Sequence, residues 1–143
     1  MITNFAGTTA FLFLLASNAV AATDWYLVKK MDGFEVFVDR KSIRYDRGTP
    51  LDKEGDLRKM HILYSHVKQQ QNGKGGKFYS ETFVDEIACK KRTITTLSTA
   101  QYAGHKGDGA VILRHKMGVR VAMPIDPGSL NEFIMEMFVC DIG

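Results

Sequence analysis

Hydrophobic and polar residues alternate along much of the chain, a period-two pattern that is typical of β-strands. The first two alternating runs, 24–31 and 34–39, are joined by Asp32-Gly33. Asp-Gly between two such runs is the strongest short-range signal for a β-hairpin, and its usual type I′ turn has positive φ at both residues. We therefore predict a hairpin with a two-residue turn.

Four further segments carry strand signals, and the last is either one long strand or two short ones about Gly118. Residues 46–57 are polar and contain Gly and Pro, which predicts a loop. Residues 69–77 predict a flexible connection in which Asn72-Gly73 forms the turn. The four strand segments are 58–68, 77–88, 92–102 and 110–123.

The period changes near the C-terminus, where apolar side chains recur at helical spacing. Ser129 precedes this run and Glu132 follows three residues later, a capping box that satisfies two backbone N–H groups. The pattern predicts an α+β, mainly β fold, in which one C-terminal helix packs on one face of an antiparallel sheet. The apolar residues of the helix are Leu130, Phe133, Ile134, Met137 and Phe138.

The N-terminus has the features of an export signal. Residues 1–22 contain no Asp, Glu, Lys or Arg, and an apolar block at 10–16 precedes small residues that end in Ala21-Ala22. An apolar segment of roughly seven to fifteen residues before an A-x-A site is typical of a signal peptide. It is shorter than the about 20 residues that cross a bilayer.

We predict a signal peptide at 1–21, cleaved after residue 21 or 22, and a single domain at 22–143. No Lys or Arg precedes the apolar block, which departs from the usual signal-peptide pattern. A buried N-terminal helix is the alternative. We expect an exported protein without a transmembrane segment, in the periplasm, at the cell surface or secreted. No cysteine lies near the cleavage site, so we do not expect an N-terminal lipoprotein.

The chain has two cysteines, Cys89 and Cys140. Because we expect the chain to be exported, we expect them to meet an oxidising compartment. An even number of cysteines in an oxidising compartment favours a disulfide over a metal site or a nucleophile. Two buried thiols or an intermolecular bridge are the alternatives. An intramolecular bridge would fix the C-terminal helix to the sheet near the end of the fourth strand.

Composition and motifs indicate one non-enzymatic globular domain. The chain has 143 residues, of which 45% are hydrophobic and 24% charged, and its net charge of +3 is too small to indicate a nucleic-acid binder. It has no G-x-S-x-G, phosphate-binding or dinucleotide-binding motif. His61 and His66 differ in parity and therefore face opposite sides of a strand. We expect no catalytic residue, no cofactor and no metal site.

The placement of charge is more informative than its total. Residues 58–120 contain 12 Lys and Arg against 4 acidic residues, whereas residues 126–143 contain 4 acidic residues and no Lys or Arg. Basic clusters attract acidic partners, although a solvated face is the alternative. Two clusters, without an acidic residue close by in sequence, are candidate binding sites. They are the hairpin patch (Lys68, Lys74 and Lys77) and the turn patch (Lys90, Lys91 and Arg92).

An ordered set of short motifs resembles the surface-adhesin E family of Gram-negative bacteria. The resemblance implies a six-stranded antiparallel sheet, a C-terminal helix tied on by a Cys89–Cys140 disulfide, and a possible homodimer. It also implies binding to host extracellular-matrix or serum proteins without catalysis. A periplasmic structural or inhibitory protein with no host ligand is the alternative. The matching residues are Phe37-Val38-Asp39, Ser42-Ile43, Tyr79-Ser80, Ile87-Ala88-Cys89, Tyr102, Pro127–Ser129 and Val139-Cys140.

Overall fold

The structure, a computed structural model, describes residues 23–45 and 56–140. The predicted signal peptide and residues 46–55 of the predicted loop lie outside the described residues. A short helix, α1 (Leu130–Ile134), continues as a π-helical turn (Met135–Cys140). The strands are β1 (Trp25–Met31), β2 (Phe34–Tyr45), β3 (Leu57–Gln71), β4 (Lys77–Ala88), β5 (Thr93–Tyr102), β6 (Val111–Lys116) and β7 (Met123–Pro124).

The strands form one antiparallel sheet in the order β1-β2-β3-β4-β5-β6. β6 pairs with β5 from Ser98 to Tyr102, and β7 pairs with Thr93 and Ile94 at the other end of β5. The predicted last segment is thus two short strands on either side of Gly118. The α+β, mainly β fold with one C-terminal helix is confirmed.

Two connections differ from their predicted geometry. Met31 pairs with Phe34, which confirms the two-residue hairpin, but only Gly33 has positive φ, at +87°. The predicted type I′ turn is therefore wrong, because that type needs positive φ at both central residues. In the second connection β3 continues to Gln71, so the connection is shorter than the predicted 69–77 and spans residues 72–76.

Asn72 organises that second turn. Its side-chain oxygen accepts hydrogen bonds from the backbone N–H of Lys74, at 3.0 Å, and of Gly76, at 2.9 Å. Gly75 supplies the positive φ of +82° that the turn requires. An Asn side chain that bonds the backbone a few residues later is a common turn device.

β2 extends beyond the predicted strand 34–39 because a bulge keeps it paired with β3. The Ser42 hydroxyl donates to the Asp39 carbonyl, at 2.6 Å, and accepts the His61 N–H, at 2.8 Å. The Asp39 carboxylate accepts the backbone N–H groups of Asp24 and Lys41, both at 3.1 Å. The Asp39-x-x-Ser42 motif is therefore a structural element that supports the irregular part of the strand.

The hydrophobic core lies between the sheet and the C-terminal helix. Its side chains come from β2, β3 and β4, from the residue after β7, and from the helix. They are Val36, Val38, Met60, Ile62, Ile87, Ile125, Ile134, Met135 and Val139.

The helix is present as predicted, but its buried face is only partly the predicted one. Ile134 is buried, whereas Phe133 is 43% exposed and Met137 61% exposed. After Ile134, the i→i+5 hydrogen bonds of the π-helical turn place more residues in each turn than an α-helix has, which changes the residues that face the sheet. Met135 and Val139 are consequently the residues that enter the core.

The start of the helix is capped nearly as predicted. The Ser129 hydroxyl accepts the N–H of Glu132 at 3.1 Å. The Glu132 carboxylate reaches back to the N–H of Gly128, at 2.6 Å, one residue before the expected partner. Two backbone N–H groups are thereby satisfied, as a capping box requires.

Three contacts fix the helix to the sheet. The predicted Cys89–Cys140 disulfide is confirmed and joins the end of β4 to the last residue of the π-helical turn. It closes a segment with a sequence separation of 51, which on the chain-entropy model stabilises the fold by about 4 kcal/mol. Arg58 of β3 donates to the carbonyl of Val139, and Arg92 pairs with Glu132.

Candidate functional site

The sheet has a second face, opposite the helix, and the loop 103–110 covers one end of it. The buried Ser80 hydroxyl donates to the Gly104 carbonyl, at 2.6 Å, and accepts the N–H of Gly107, at 2.8 Å. The Ser65 hydroxyl accepts the N–H of Lys106 at 3.2 Å. These bonds attach the loop to β3 and β4 and leave the rest of this face available.

The remaining part of this face forms a cavity of about 610 Å³, which we call the cationic cleft. Its floor consists of short side chains on β4 and β5, and longer, mostly basic side chains stand around it. None of the described residues that line it is acidic. Thr82, Val84, Ser98 and Ala100 lie in the floor of the cleft. The residues around the floor include Trp25, Lys59, His61, Arg114, Lys116 and Arg120.

Strand register explains why these residues meet. His61 pairs with Val84, Val84 with Ser98, and Ser98 with Lys116, so the four form one row across the sheet. Directly paired residues share a face of an antiparallel sheet. The pairing of Trp25 with Asp39, and of Asp39 with His61, extends the same row to the edge strand β1.

The charges around the cleft are unevenly compensated. Arg120 pairs with Glu86 at 3.4 Å, and the Glu86 side chain is only 3% exposed. The other nearby acid, Asp39, is buried and accepts backbone N–H groups. Arg114 and Lys116 are exposed on the edge strand β6 and have no ion pair with any described residue. The rim at β6 therefore has two uncompensated positive charges.

His61 contributes a neutral polar group to the opposite rim. Partial burial of the imidazole lowers the pKa of His61 below 6.5, its ordinary value. The nearby Asp39 carboxylate opposes this shift, whereas the charges of Arg44 and Lys59 strengthen it. A neutral imidazole has one N–H donor and one acceptor nitrogen, so His61 is suited to hydrogen bonding near neutral pH.

His61 and His66 lie on opposite faces of the sheet, as their odd and even positions along β3 predict. His66 is on the helix side, where its Nε2 lies 3.2 Å from Glu81 and its ring centroid lies 6.0 Å from that of Phe34. Within residues 23–45 and 56–140, no three His, Cys, Asp or Glu side chains form a group that fits a metal ion. The same residues contain no helix that is long and apolar enough to cross a membrane.

The hairpin patch and the turn patch lie at opposite ends of β4, as expected. Lys68, Lys74 and Lys77 are exposed around the β3–β4 connection, and Lys90 and Lys91 are exposed in the β4–β5 connection. The structure does not bring either patch into the cationic cleft. Their role in binding stays a prediction.

One premise for the turn patch is wrong. The sequence places no acidic residue nearby, but the fold places two beside Arg92, which pairs with Glu132 and, at 3.3 Å, with Glu136. The backbone N–H of Lys90 also donates to the Asp56 carboxylate, at 2.6 Å. Arg92 therefore attaches the helix, and only Lys90 and Lys91 remain as candidate contacts for a ligand.

Comparison with known proteins identifies the family. A family profile described as surface-adhesin protein E matches residues 25–141. The chain belongs to the surface-adhesin protein E family. The resemblance stated from the sequence motifs is thereby confirmed. No curated protein sequence matches the chain.

Solved structures of Haemophilus influenzae protein E share the fold of this family member. Crystal form II of that protein is 17% identical, with a TM-score of 0.57 over 82% of this chain and 91% of that chain. A second structure is also 17% identical, with a TM-score of 0.52 over 82% and 90%. At this identity the likeness concerns the fold, and the site has to be argued from the residues of this chain.

The family motifs identify the scaffold and not the cleft. Asp39, Ser42 and Ser80 hold the β2 bulge and the loop 103–110, while Cys89 and Cys140 hold the helix. Sequence reasoning missed the cleft, although one signal was present. Basic residues two apart on a strand share a face, as Arg114 and Lys116 do, but nothing local shows what they face.

Proposed function

We propose that this chain is an exported, non-enzymatic binding protein that contacts a host extracellular-matrix or serum protein through a basic surface. Membership of the surface-adhesin protein E family supports an adhesive role. The observation that carries the proposal is the pair of uncompensated cations, Arg114 and Lys116, beside an open cleft. Such a surface attracts acidic partners and accelerates their encounter.

The arrangement of polar groups supports binding without catalysis. The buried Ser80 hydroxyl is engaged with the backbone of the loop 103–110, and Ser42 with the β2 bulge. His61 lies in the cleft, but its neighbours in the row are Val84 and Asp39, and the Asp39 carboxylate accepts backbone N–H groups. Within the cleft, Val84 of β4 separates His61 from the Ser98 hydroxyl, which are too far apart for the hydrogen bond by which a base activates a nucleophile, and this supports a binding role.

Protease treatment of intact cells tests surface exposure. We expect external protease to remove this protein while a periplasmic marker in the same cells survives. Permeabilised cells, in which both proteins should be digested, provide the control. Survival of the protein in intact cells would favour the periplasmic structural or inhibitory role that is the alternative.

Binding to immobilised fibronectin and laminin tests the adhesive part of the proposal. The purified chain from residue 22 should bind at least one of them at 0.15 M salt, and binding should weaken as salt rises, because salt screens exposed charges. Absence of binding to either, by a protein with a native circular dichroism spectrum, would count against these ligands. Light scattering of the same sample measures whether the possible homodimer forms.

A further inference from the structure

We propose that the cationic cleft binds a sulfated carbohydrate chain that lies along the strands. The inference deepens the proposed function, since it assigns the basic surface to this cleft and names the chemistry of its ligand. It rests on the spacing of the charges, the nature of the cleft floor and the position of Trp25.

Basic side chains and the neutral His61 form two rims with an uncharged strip between them. Lys59 and His61 of β3 stand on one side, and Arg114 and Lys116 of β6 on the other. Three inter-strand spacings separate β3 from β6, or about 14 Å between backbones, and the basic side chains reduce the free width. A single extended chain fits between such rims, whereas a double helix does not.

The rims match a ligand that carries repeated negative charges. Residues two apart on a strand are about 6.5 Å apart and share a face, so Arg114 and Lys116 present adjacent positive charges along the cleft. Neither has an ion pair with a described residue. Because the mutual repulsion of these two cations is uncompensated, an anionic chain beside them gains attraction without first breaking an existing pair.

The floor and one end of the cleft indicate a carbohydrate. Thr82 and Ser98 present hydroxyl groups, and the neighbouring floor residues are small and aliphatic. Hydroxyl groups both donate and accept hydrogen bonds, which suits the hydroxyl groups of sugars. Trp25, at the far end of the His61 row, offers the flat indole face against which the apolar side of a sugar ring can pack.

The same floor disfavours single-stranded nucleic acid. Proteins that bind such strands stack successive bases on aromatic side chains. The floor between the rims includes Thr82, Val84, Ser98 and Ala100, none of which can stack on a base. The aromatic side chains Trp25 and Tyr102 of the cleft are on β1 and β5, four inter-strand spacings or about 19 Å apart, so they cannot stack successive bases.

The first experiment measures binding of a heparin-derived octasaccharide to the purified chain by titration calorimetry at 0.15 M salt. Arg114→Ala with Lys116→Ala should weaken binding at least tenfold and flatten its salt dependence, because two charges are removed. Lys29→Ala with Lys41→Ala is the matched control: it removes two exposed cations that line neither the cleft nor a basic patch, and it should change affinity less than twofold. Equal affinity of wild type and the Arg114/Lys116 variant would overturn the proposal.

The second experiment separates carbohydrate from charge. Trp25→Ala should weaken octasaccharide binding several-fold with an unchanged salt slope, since it removes no charge. A desulfated octasaccharide should bind at least tenfold more weakly than the sulfated one. If a single-stranded oligonucleotide of equal charge binds as tightly as the octasaccharide, the cleft is a general polyanion surface and the proposal fails.

The results distinguish this inference from the proposed function. Binding to matrix proteins without binding to the octasaccharide would overturn only the assignment of ligand and cleft. Octasaccharide binding by a protein that external protease spares would leave the assignment of the cleft intact and contradict the exposed location. Circular dichroism of each variant verifies that the edge-strand substitutions leave the sheet folded.

Discussion

Individual polar side chains in the sheet hold the irregular backbone segments of this molecule in place by hydrogen bonds. Ser80 is fully buried, and its hydroxyl bonds two backbone groups of the loop 103–110. The half-buried Ser42 hydroxyl bonds one backbone group of the β2 bulge and one of β3. A buried hydroxyl is tolerated only when it is hydrogen-bonded, so each of these residues fixes the irregular segment that satisfies it.

Asp85 is a buried carboxyl group whose surroundings disfavour its charge. It lies beside a cavity of about 240 Å³ on the helix side of the sheet, and Thr96 donates a hydrogen bond to it at 2.8 Å. Burial raises the pKa of Asp85 from 3.8 to about 6, although the Thr96 bond opposes the shift. The folded state therefore binds this proton more tightly than the unfolded state does.

The raised pKa predicts that Asp85 lowers stability as pH rises. Because the folded chain holds the proton between about pH 4 and 6, ionisation above that range costs about 3 kcal/mol of unfolding free energy. Asp85→Asn should therefore be more stable than wild type at pH 7.5, by an amount up to that size, and nearly equal at pH 4. Urea unfolding at the two pH values measures the difference.

The exposed Asp108 supplies the control for this experiment. Asp108→Asn removes the same charge from the loop 103–110 and should leave stability within about 0.5 kcal/mol of wild type. A less stable Asp85→Asn at pH 7.5 would mean that the ionised carboxylate is stabilised in the fold, contrary to this account.

Secondary-structure elements were predictable to different degrees. The strand 77–88 has the bounds expected from alternation, and helical periodicity correctly predicted a C-terminal helix. The π-helical turn was not predictable, because the apolar residues of 130–138 recur at the spacing of a regular α-helix. Helical periodicity alone therefore predicted that Phe133 and Met137 enter the core, whereas in the structure Met135 and Val139 do.

Arg92 connects two elements that sequence reasoning treated separately. It begins the approach to β5 with a φ of 52°, a left-handed conformation that is uncommon outside glycine. From there its guanidinium group reaches Glu132 and Glu136 on the helix. The side chain thus secures the first turns of the helix, while the disulfide secures its end.

Arg92→Ala should destabilise the fold by about 1 kcal/mol, because partly exposed ion pairs each contribute only a fraction of that. Lys91→Ala removes the neighbouring charge without a contact to the helix and should be neutral. Arg92→Gly should be more stable than Arg92→Ala, since glycine adopts positive φ without steric cost. Urea unfolding of the three variants measures these differences, and equal stability of the two alanine variants would show that Arg92 does not hold the helix.

At the scale of the whole molecule, the sequence predicted that the helix covers one face of the sheet, but it did not predict the cleft on the other face. His61 and Lys116 meet across β4 and β5 only because of the strand order and the register of each pair. A bulge in the β4–β5 pair shifts that register at Val84. A shift of one residue moves every later side chain to the other face, so alternation alone cannot show which residues of β5 line the cleft.

The separation of the two basic patches across the molecule leads to the last prediction. Lys90 and Lys91 follow the disulfide-bonded Cys89, whose bridge restrains their backbone and lowers the ordering cost of binding. Lys90→Glu with Lys91→Glu should therefore weaken binding to immobilised fibronectin or laminin several-fold and flatten its salt dependence. Arg92 is left unchanged, because its substitution would also loosen the helix.

The hairpin patch provides the matched comparison at the other end of β4. Lys74→Glu with Lys77→Glu makes the same change in net charge and should weaken binding less. If both variants lose affinity equally, attraction to the matrix protein depends on the field of the whole molecule. If neither does while both keep a native circular dichroism spectrum, the two patches are solvated faces, and the cationic cleft alone remains to account for binding.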